Sequence, residues 1–63
     1  MYELRVYFPE DASHRAVFYI ERAVDVLTRI PDLLAEHEGC ERVEVRSNGM
    51  KLFAVDCAGN TLP

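Results

Sequence analysis

The feature that most constrains this chain is the dipeptide Asn48-Gly49, which lies between two runs of alternating β-branched and apolar residues. Asn-Gly in this setting is the strongest short-range signal for a β-hairpin with a two-residue type I′ turn. Such a turn fixes the register of its two strands. If the pairing continues without interruption, the facing pairs are Val45 and Leu52, Val43 and Ala54, Arg42 and Val55, and Cys40 and Cys57.

The predicted register also assigns each hairpin residue to one face of a sheet, because successive side chains alternate. The face that we expect to pack against a helix carries Val43, Val45, Met50, Leu52 and Ala54. The open face carries Glu44 and the basic residues together with two large apolar side chains. An apolar patch bordered by arginine is typical of protein interfaces. We therefore predict a homodimer that forms through the open sheet face, built on Arg42, Phe53 and Val55.

Two upstream segments have the composition of strands. The alternation of apolar and polar residues from Tyr2 to Phe8 predicts a half-buried strand. Residues 15–20 fit either a second strand or the first turns of a long helix that begins near Ser13. A continuous helix would place Phe18 at the centre of its charged face, which is unfavourable. We therefore predict a strand over residues 15–20.

The segment from Glu21 to Glu38 predicts an α-helix that ends before Gly39. Pro31 lacks an N–H and clashes with the preceding turn, so we expect a kink there, or two short helices on one line. The tail 58–63 has turn composition and is expected to fray. The predicted buried stripe of the helix consists of Ala23, Val24, Leu27, Ile30 and Leu34.

Together these elements predict a single small α+β domain over residues 1–63. Its order is ββαββ, an antiparallel sheet of about four strands with one kinked helix packed on one face. The alternative is βαββ with a long helix from about Ser13. A chain of 63 residues has a thin core, so self-association is expected to add to its stability.

Charge and composition restrict the partners of this chain. A net charge of −4 argues against binding that depends on attraction to phosphates. No apolar run reaches the roughly 20 residues of a membrane span, and the N-terminus lacks the pattern of a signal peptide. We therefore expect a cytoplasmic protein without direct nucleic-acid or membrane contact. Cys40 and Cys57 would be close enough for a disulfide, but free thiols are the expected state in a reducing compartment.

The sequence carries no motif for catalysis. It has no Gly-rich phosphate loop and no dinucleotide-binding fingerprint, and a chain this short leaves little volume for a pocket. The spacing of His37, Cys40 and Cys57 is not that of an established zinc module. We expect a protein that is not an enzyme, with no catalytic residue, no bound metal and no cofactor.

Four carboxylates fall within one narrow strip of the predicted helix. Four residues of helix advance about 6 Å, so they would form two pairs at roughly the spacing of successive phosphates. Such a surface could occupy a cleft built for nucleic acid, whereas the simpler interpretation is a solvated helix face. The candidate partner-binding residues are Glu21, Asp25, Asp32 and Glu36.

In size, acidity and helix-on-sheet pattern, the chain resembles the small accessory proteins of phages and other mobile elements. These include inhibitors of restriction and CRISPR systems, some of which imitate DNA. The resemblance implies a small acidic inhibitor that occludes a protein partner, most concretely a nucleic-acid-binding effector complex. The alternative function is a homodimeric nucleic-acid-binding regulator that uses Arg42, Arg46 and aromatic side chains of the open sheet face.

Overall fold

The computed structural model describes all 63 residues, which form five strands and one helix. The sheet is antiparallel, with the strand order β2-β1-β3-β4-β5. The helix connects β2 to β3, which lie on opposite sides of β1. The elements are β1 (Tyr2–Tyr7), β2 (Ala16–Ile20), α1 (Ala23–Glu36), β3 (Arg42–Ser47), β4 (Met50–Asp56) and β5 (Thr61–Leu62).

The predicted α+β class is confirmed, and the details of the sheet differ. The sheet has five strands because the tail, which was expected to fray, adds β5 to the edge of β4. The turn before β5 is held by the carboxylate of Asp56, which accepts hydrogen bonds from the backbone N–H groups of Ala58 at 3.0 Å and Asn60 at 2.9 Å. These bonds satisfy the backbone N–H groups of the turn, so the chain reverses there and the next two tail residues pair with the sheet.

The strand predicted over residues 15–20 is confirmed as β2. It pairs with β1 in an unbroken register in which Leu4 faces Phe18. The alternative βαββ order with a long helix is therefore wrong. The β-branched and aromatic composition of this segment outweighs its weak helical periodicity.

The hairpin turn lies where Asn48-Gly49 predicts it, but the register beyond it is not the predicted one. Both turn residues have positive φ, 53° and 75°, as a type I′ turn requires. Ser47 faces Met50 as expected. A β-bulge then leaves Leu52 without a facing residue. Beyond the bulge the facing pairs are Val45 and Phe53, Glu44 and Ala54, Val43 and Val55, and Arg42 and Asp56.

The bulge reverses the predicted faces of most of β4. Phe53 and Val55 share a face with Val43 and Val45, whereas Ala54 faces Glu44 on the other side. Val55 is 5% exposed, and Phe53 packs half-buried against the core. Burying one such side chain stabilises the fold by about 1.5–3 kcal/mol, more than one disrupted step of the strand ladder costs. The prediction that Phe53 and Val55 lie on the open face is therefore wrong.

The helix is shorter than predicted and buries a different stripe. It runs from Ala23 to Glu36 without interruption at Pro31, so the two-helix alternative is wrong. Its buried residues are Val26, Ile30 and Leu33. Of the predicted stripe, Ile30 is buried, Leu34 is half-buried, and Ala23, Val24 and Leu27 are exposed. Apolar residues cover more of this helix than one sheet contact can bury, so the docking against β1 and β2 decides which of them enter the core.

The core lies between the helix and the inner face of the sheet. A disulfide joins Cys40, just before β3, to Cys57, just after β4, with the Cα atoms 5.5 Å apart. The expectation of two free thiols is therefore wrong, because the hairpin brings the two residues within bonding distance. The buried core residues are Leu4, Val6, Val26, Ile30, Leu33, Cys40, Val43, Val45 and Val55.

Candidate functional site

The open face of the sheet carries a lattice of alternating charges. Facing residues of an antiparallel pair lie on the same side of the sheet, so the register assigns the members of this face. The charges are accompanied by Tyr7, Val17, Tyr19 and Ala54. The charged members are Glu3, Arg5, Arg42, Glu44, Arg46, Lys51 and Asp56.

Glu44 lies at the centre of this lattice and is the one charged residue that is buried, at 8% exposed. Its carboxylate accepts hydrogen bonds from Arg42 Nε at 2.9 Å and Arg46 Nη1 at 3.4 Å. Burial alone would raise the pKa of Glu44, but the bond from Arg42 and the charges of Arg42, Lys51 and Arg46 together lower it. Glu44 is therefore ionised at neutral pH and fixes two arginines on the sheet.

Arg42 is held in place by several partners. Its guanidinium carbon lies 3.9 Å from the centre of the Tyr7 ring, in a cation–π contact. It also pairs with the carboxylate of Glu41, which just precedes β3. Arg42 does lie on the open face, as predicted, but the Phe53 and Val55 expected beside it belong to the core. The part of the predicted patch formed by Phe53 and Val55 is therefore absent from this face.

The four predicted acidic residues are all exposed, but they do not form one helical row. Asp25, Asp32 and Glu36 lie on one side of α1, whereas Glu21 precedes the helix. The predicted helical pair of Glu21 with Asp25 is therefore wrong, because the helix begins later than expected. The spacing of Asp32 and Glu36 stands.

The acidic helix face contains one cation, Arg29. Its Nη1 lies 3.2 Å from a Glu36 oxygen and 3.9 Å from an Asp32 oxygen. The guanidinium also lies 5.3 Å from the centre of the Phe18 ring on β2, which anchors it to the sheet. Both carboxylates remain largely in solvent, at 52% and 66% side-chain exposure. Arg29 reduces the local negative charge without removing it.

The charges of the whole chain are unevenly divided between its two sides. The open sheet face carries four of the seven basic residues against three acidic ones. The segment 21–38, which contains the helix, carries five acidic and two basic residues. The net charge of −4 therefore originates from the helix side and the connecting loops.

The surface holds one small cavity, of about 320 Å³ and open to solvent. Its lining residues are Phe8, Pro9, Glu10, Arg15 and Gly39. Arg15 covers the Phe8 ring at 3.8 Å, and its Nε donates to Asp11 at 2.8 Å, so its side chain is engaged within the loop. No group of three or more His, Cys, Asp or Glu side chains is placed to hold a metal ion.

The bulge and the disulfide are the two features that differ most from the sequence-based prediction, which expected an unbroken register and two free thiols. The disulfide had a signal in the predicted closeness of Cys40 and Cys57. The bulge had only a weak one, because an unbroken register leaves Phe53 and Val55 in solvent.

The only helix is too short and too polar to cross a membrane. Comparisons with protein-family models, with curated proteins and with solved structures find no match for this chain.

Proposed function

We propose that this protein is a non-enzymatic interaction module that binds a basic surface of a protein partner through its helix side. The observation that carries the proposal is the uneven division of charge, because the segment 21–38 has five acidic and two basic residues whereas the open sheet face has more basic than acidic ones. Complementary potentials steer association and select partners. A cleft that normally holds nucleic acid is the most concrete basic surface of this kind, as in inhibitors of the anti-CRISPR or antirestriction type.

The acidic residues Asp25, Asp32 and Glu36 are suited to such a contact because all three are exposed on one rigid element. A helix holds the backbone of its carboxylate residues at fixed spacing, so little backbone order has to be created on binding. Arg29 adds a cation that can reach a partner carboxylate at the border of the contact. Glu21 extends the acidic surface beyond the start of the helix.

The proposal predicts that the double reversal Asp25→Lys/Asp32→Lys abolishes capture of the partner. The tagged protein is used to recover partners from a native extract, and bound proteins are identified by mass spectrometry. Charge reversal at a complementary interface removes attraction and adds repulsion, so recovery should fall at least about tenfold. Retention of the same partner by the double variant would contradict the proposal.

A matched control distinguishes the effect of where the charges are reversed from the effect of the changed net charge on partner binding. Glu10→Lys/Glu41→Lys changes the net charge by the same amount at exposed positions outside the segment 21–38. This control should retain the partner. Loss of binding in both double variants would indicate a dependence on net charge alone and would also contradict the helix-face proposal. Circular dichroism checks that each variant keeps its fold.

A second candidate function is nucleic-acid binding by the open sheet face. This face presents the Arg42 guanidinium stacked on the Tyr7 ring, and it also presents Tyr19, which is 62% exposed. Aromatic side chains on an open sheet can stack on bases. Against it, Arg42, Arg46 and Arg5 are each paired with a carboxylate. If this function holds, affinity for a labelled single-stranded oligonucleotide should fall steeply with salt and should be lost in Arg42→Ala/Arg46→Ala. Absence of salt-dependent binding would exclude it.

We also propose a cytoplasmic location, in which the Cys40–Cys57 disulfide would be an unusual feature. Rapid alkylation of native cells followed by mass spectrometry reports the state of Cys40 and Cys57. Two alkylated thiols would support the cytoplasm, whereas a bonded pair would indicate an oxidising compartment.

A further inference from the structure

The outer edge of β2 is an unprotected strand edge. The sheet order places β2 at one end, and its register with β1 is unbroken over all five residues. The strand Ala16–Ile20 contains no charged residue, no proline and no glycine. Natural proteins usually protect such edges with lysine, proline, a bulge or very short strands. The opposite edge, β5, has only two residues and is protected by its shortness.

Charges of opposite sign stand at the two ends of this edge. Arg15 precedes β2, and Glu21 follows it directly. The backbone N–H of Arg15 donates to the carbonyl of Val6 at 2.8 Å, so this residue is held beside the sheet. Its Nε is bonded to Asp11, while Glu21 makes no ion pair within the chain. The Arg15 guanidinium also lies over the Phe8 ring, 3.8 Å from its centre, but its two terminal nitrogens make no hydrogen bond within the chain and can bind a second carboxylate.

We propose that two copies of this chain join through their β2 edges, in antiparallel orientation, so that two five-stranded sheets become one continuous sheet. A two-fold axis beside Phe18 pairs every residue of one β2 strand with a residue of the other. In this register Arg15 faces Glu21 of the second copy, and the ion pair forms twice. Edge pairing of this kind obtains its affinity from main-chain hydrogen bonds and its register from the side chains.

Other registers fit less well. Facing residues must lie on the same side of the sheet, so the register can shift only in steps that keep the faces matched. The neighbouring register on one side places Arg15 opposite Tyr19, and the one on the other side places Glu21 opposite Val17. Both lose the ion pairs and shorten the paired segment. In the proposed register Val17 faces Tyr19, a β-branched and aromatic pair of the kind that stabilises sheets.

In the dimer, side chains that are exposed to solvent in the single chain gain a contact with the second copy. Tyr19 is 62% exposed in the single chain and would contact Val17 of the second copy. The two open sheet faces would become one surface, and the acidic helix faces would be present twice. This inference does not depend on the proposed partner of the helix face.

Charge exchange at the ends of β2 tests the proposal. Sedimentation velocity of the unaltered chain at micromolar concentration should show a dimer. Glu21→Arg should weaken dimerisation at least about tenfold, because two cations then face each other at both ends. The double variant Arg15→Glu/Glu21→Arg should recover the dimer, since the pairs are restored with exchanged positions. Glu38→Arg, which makes the same charge change at an exposed position between the helix and β3, should leave the dimer unchanged.

A second measurement requires no substitution. Amide hydrogen exchange of β2 should slow as protein concentration rises, because main-chain groups of the edge become bonded in the dimer. A monomer at all accessible concentrations would overturn the proposal. A dimer that is insensitive to Glu21→Arg, or whose β2 amides exchange at a rate independent of concentration, would overturn it as well by placing the contact elsewhere.

Discussion

At the scale of single residues, Glu44 explains how a charge can be buried on the solvent side of a sheet. Its carboxylate is covered by the long side chains of Arg42 and Arg46, which also neutralise it. Removing the Glu44 carboxylate would leave the half-buried Arg46 without a carboxylate partner and Arg42 with that of Glu41 alone, and an incompletely paired charge of this kind costs stability. The lattice of the open face therefore depends on Glu44 more than on any of its other members.

We predict that Glu44→Gln lowers the free energy of unfolding at pH 7 by about 1–2 kcal/mol. The pKa of Glu44 is lowered in the folded chain, so its ionised form stabilises the fold above the ordinary pKa and loses that effect as the pH falls through the lowered value. The difference between the two proteins should therefore shrink as the pH falls from the ordinary pKa of a glutamate through the lowered pKa of Glu44. Urea unfolding at pH 7 and pH 3 measures it.

The exposed carboxylate of Glu38 provides a control for this experiment. Glu38→Gln should leave the unfolding free energy nearly unchanged at both pH values. A Glu44→Gln protein as stable as the unaltered chain at pH 7 would show that the arginines find other partners.

At the scale of elements, the β3–β4 hairpin is closed at both ends. The Asn48-Gly49 turn closes one end, and the Cys40–Cys57 bond closes the other with a sequence separation of 17 residues. Cross-linking a segment of this length restricts the unfolded chain by about 3 kcal/mol in the chain-entropy description. This is a large share of the stability of a 63-residue domain, which is typically about 3–9 kcal/mol.

We predict that the double variant Cys40→Ala/Cys57→Ala loses about 3 kcal/mol of unfolding free energy. The reason is the added freedom of its unfolded state, together with the small cavity left by the buried Cys40 sulfur. Urea unfolding followed by circular dichroism measures the change. Reductant should destabilise the unaltered chain to a similar extent and have no effect on the double variant. Equal stability with and without reductant in the unaltered chain would contradict the prediction.

At the scale of the whole molecule, one helix covers only part of the sheet. The helix contacts β1 and β2 most, while Val24 and Leu27 on its outer side remain in solvent. The core is correspondingly small, with ten buried apolar residues. A small core of this kind is consistent with added support from the disulfide and from pairing of the β2 edges. The division of charge between sheet and helix sides leaves both available for contacts with other molecules.

Local patterns in the sequence determined the elements of this protein. The Asn48-Gly49 turn, the two N-terminal strands and the helix ahead of Gly39 each depend on neighbouring residues, so their signals are contained in short segments. The exposed positions of Asp25, Asp32 and Glu36 follow from the same helical spacing.

Only the tertiary structure decided the register beyond the bulge, the buried stripe of the helix and the disulfide. The register and the buried stripe depend on which distant surface is available to bury an apolar side chain, and the disulfide depends on how closely the two strand ends approach each other. Leu52 is left unpaired so that Phe53 and Val55 can join Val43 and Val45 on the core side of the sheet. Val26 and Leu33 are buried in place of Val24 and Leu27 because the helix docks against β1 and β2. A local pattern does not contain that choice, since burial is a property of two surfaces together.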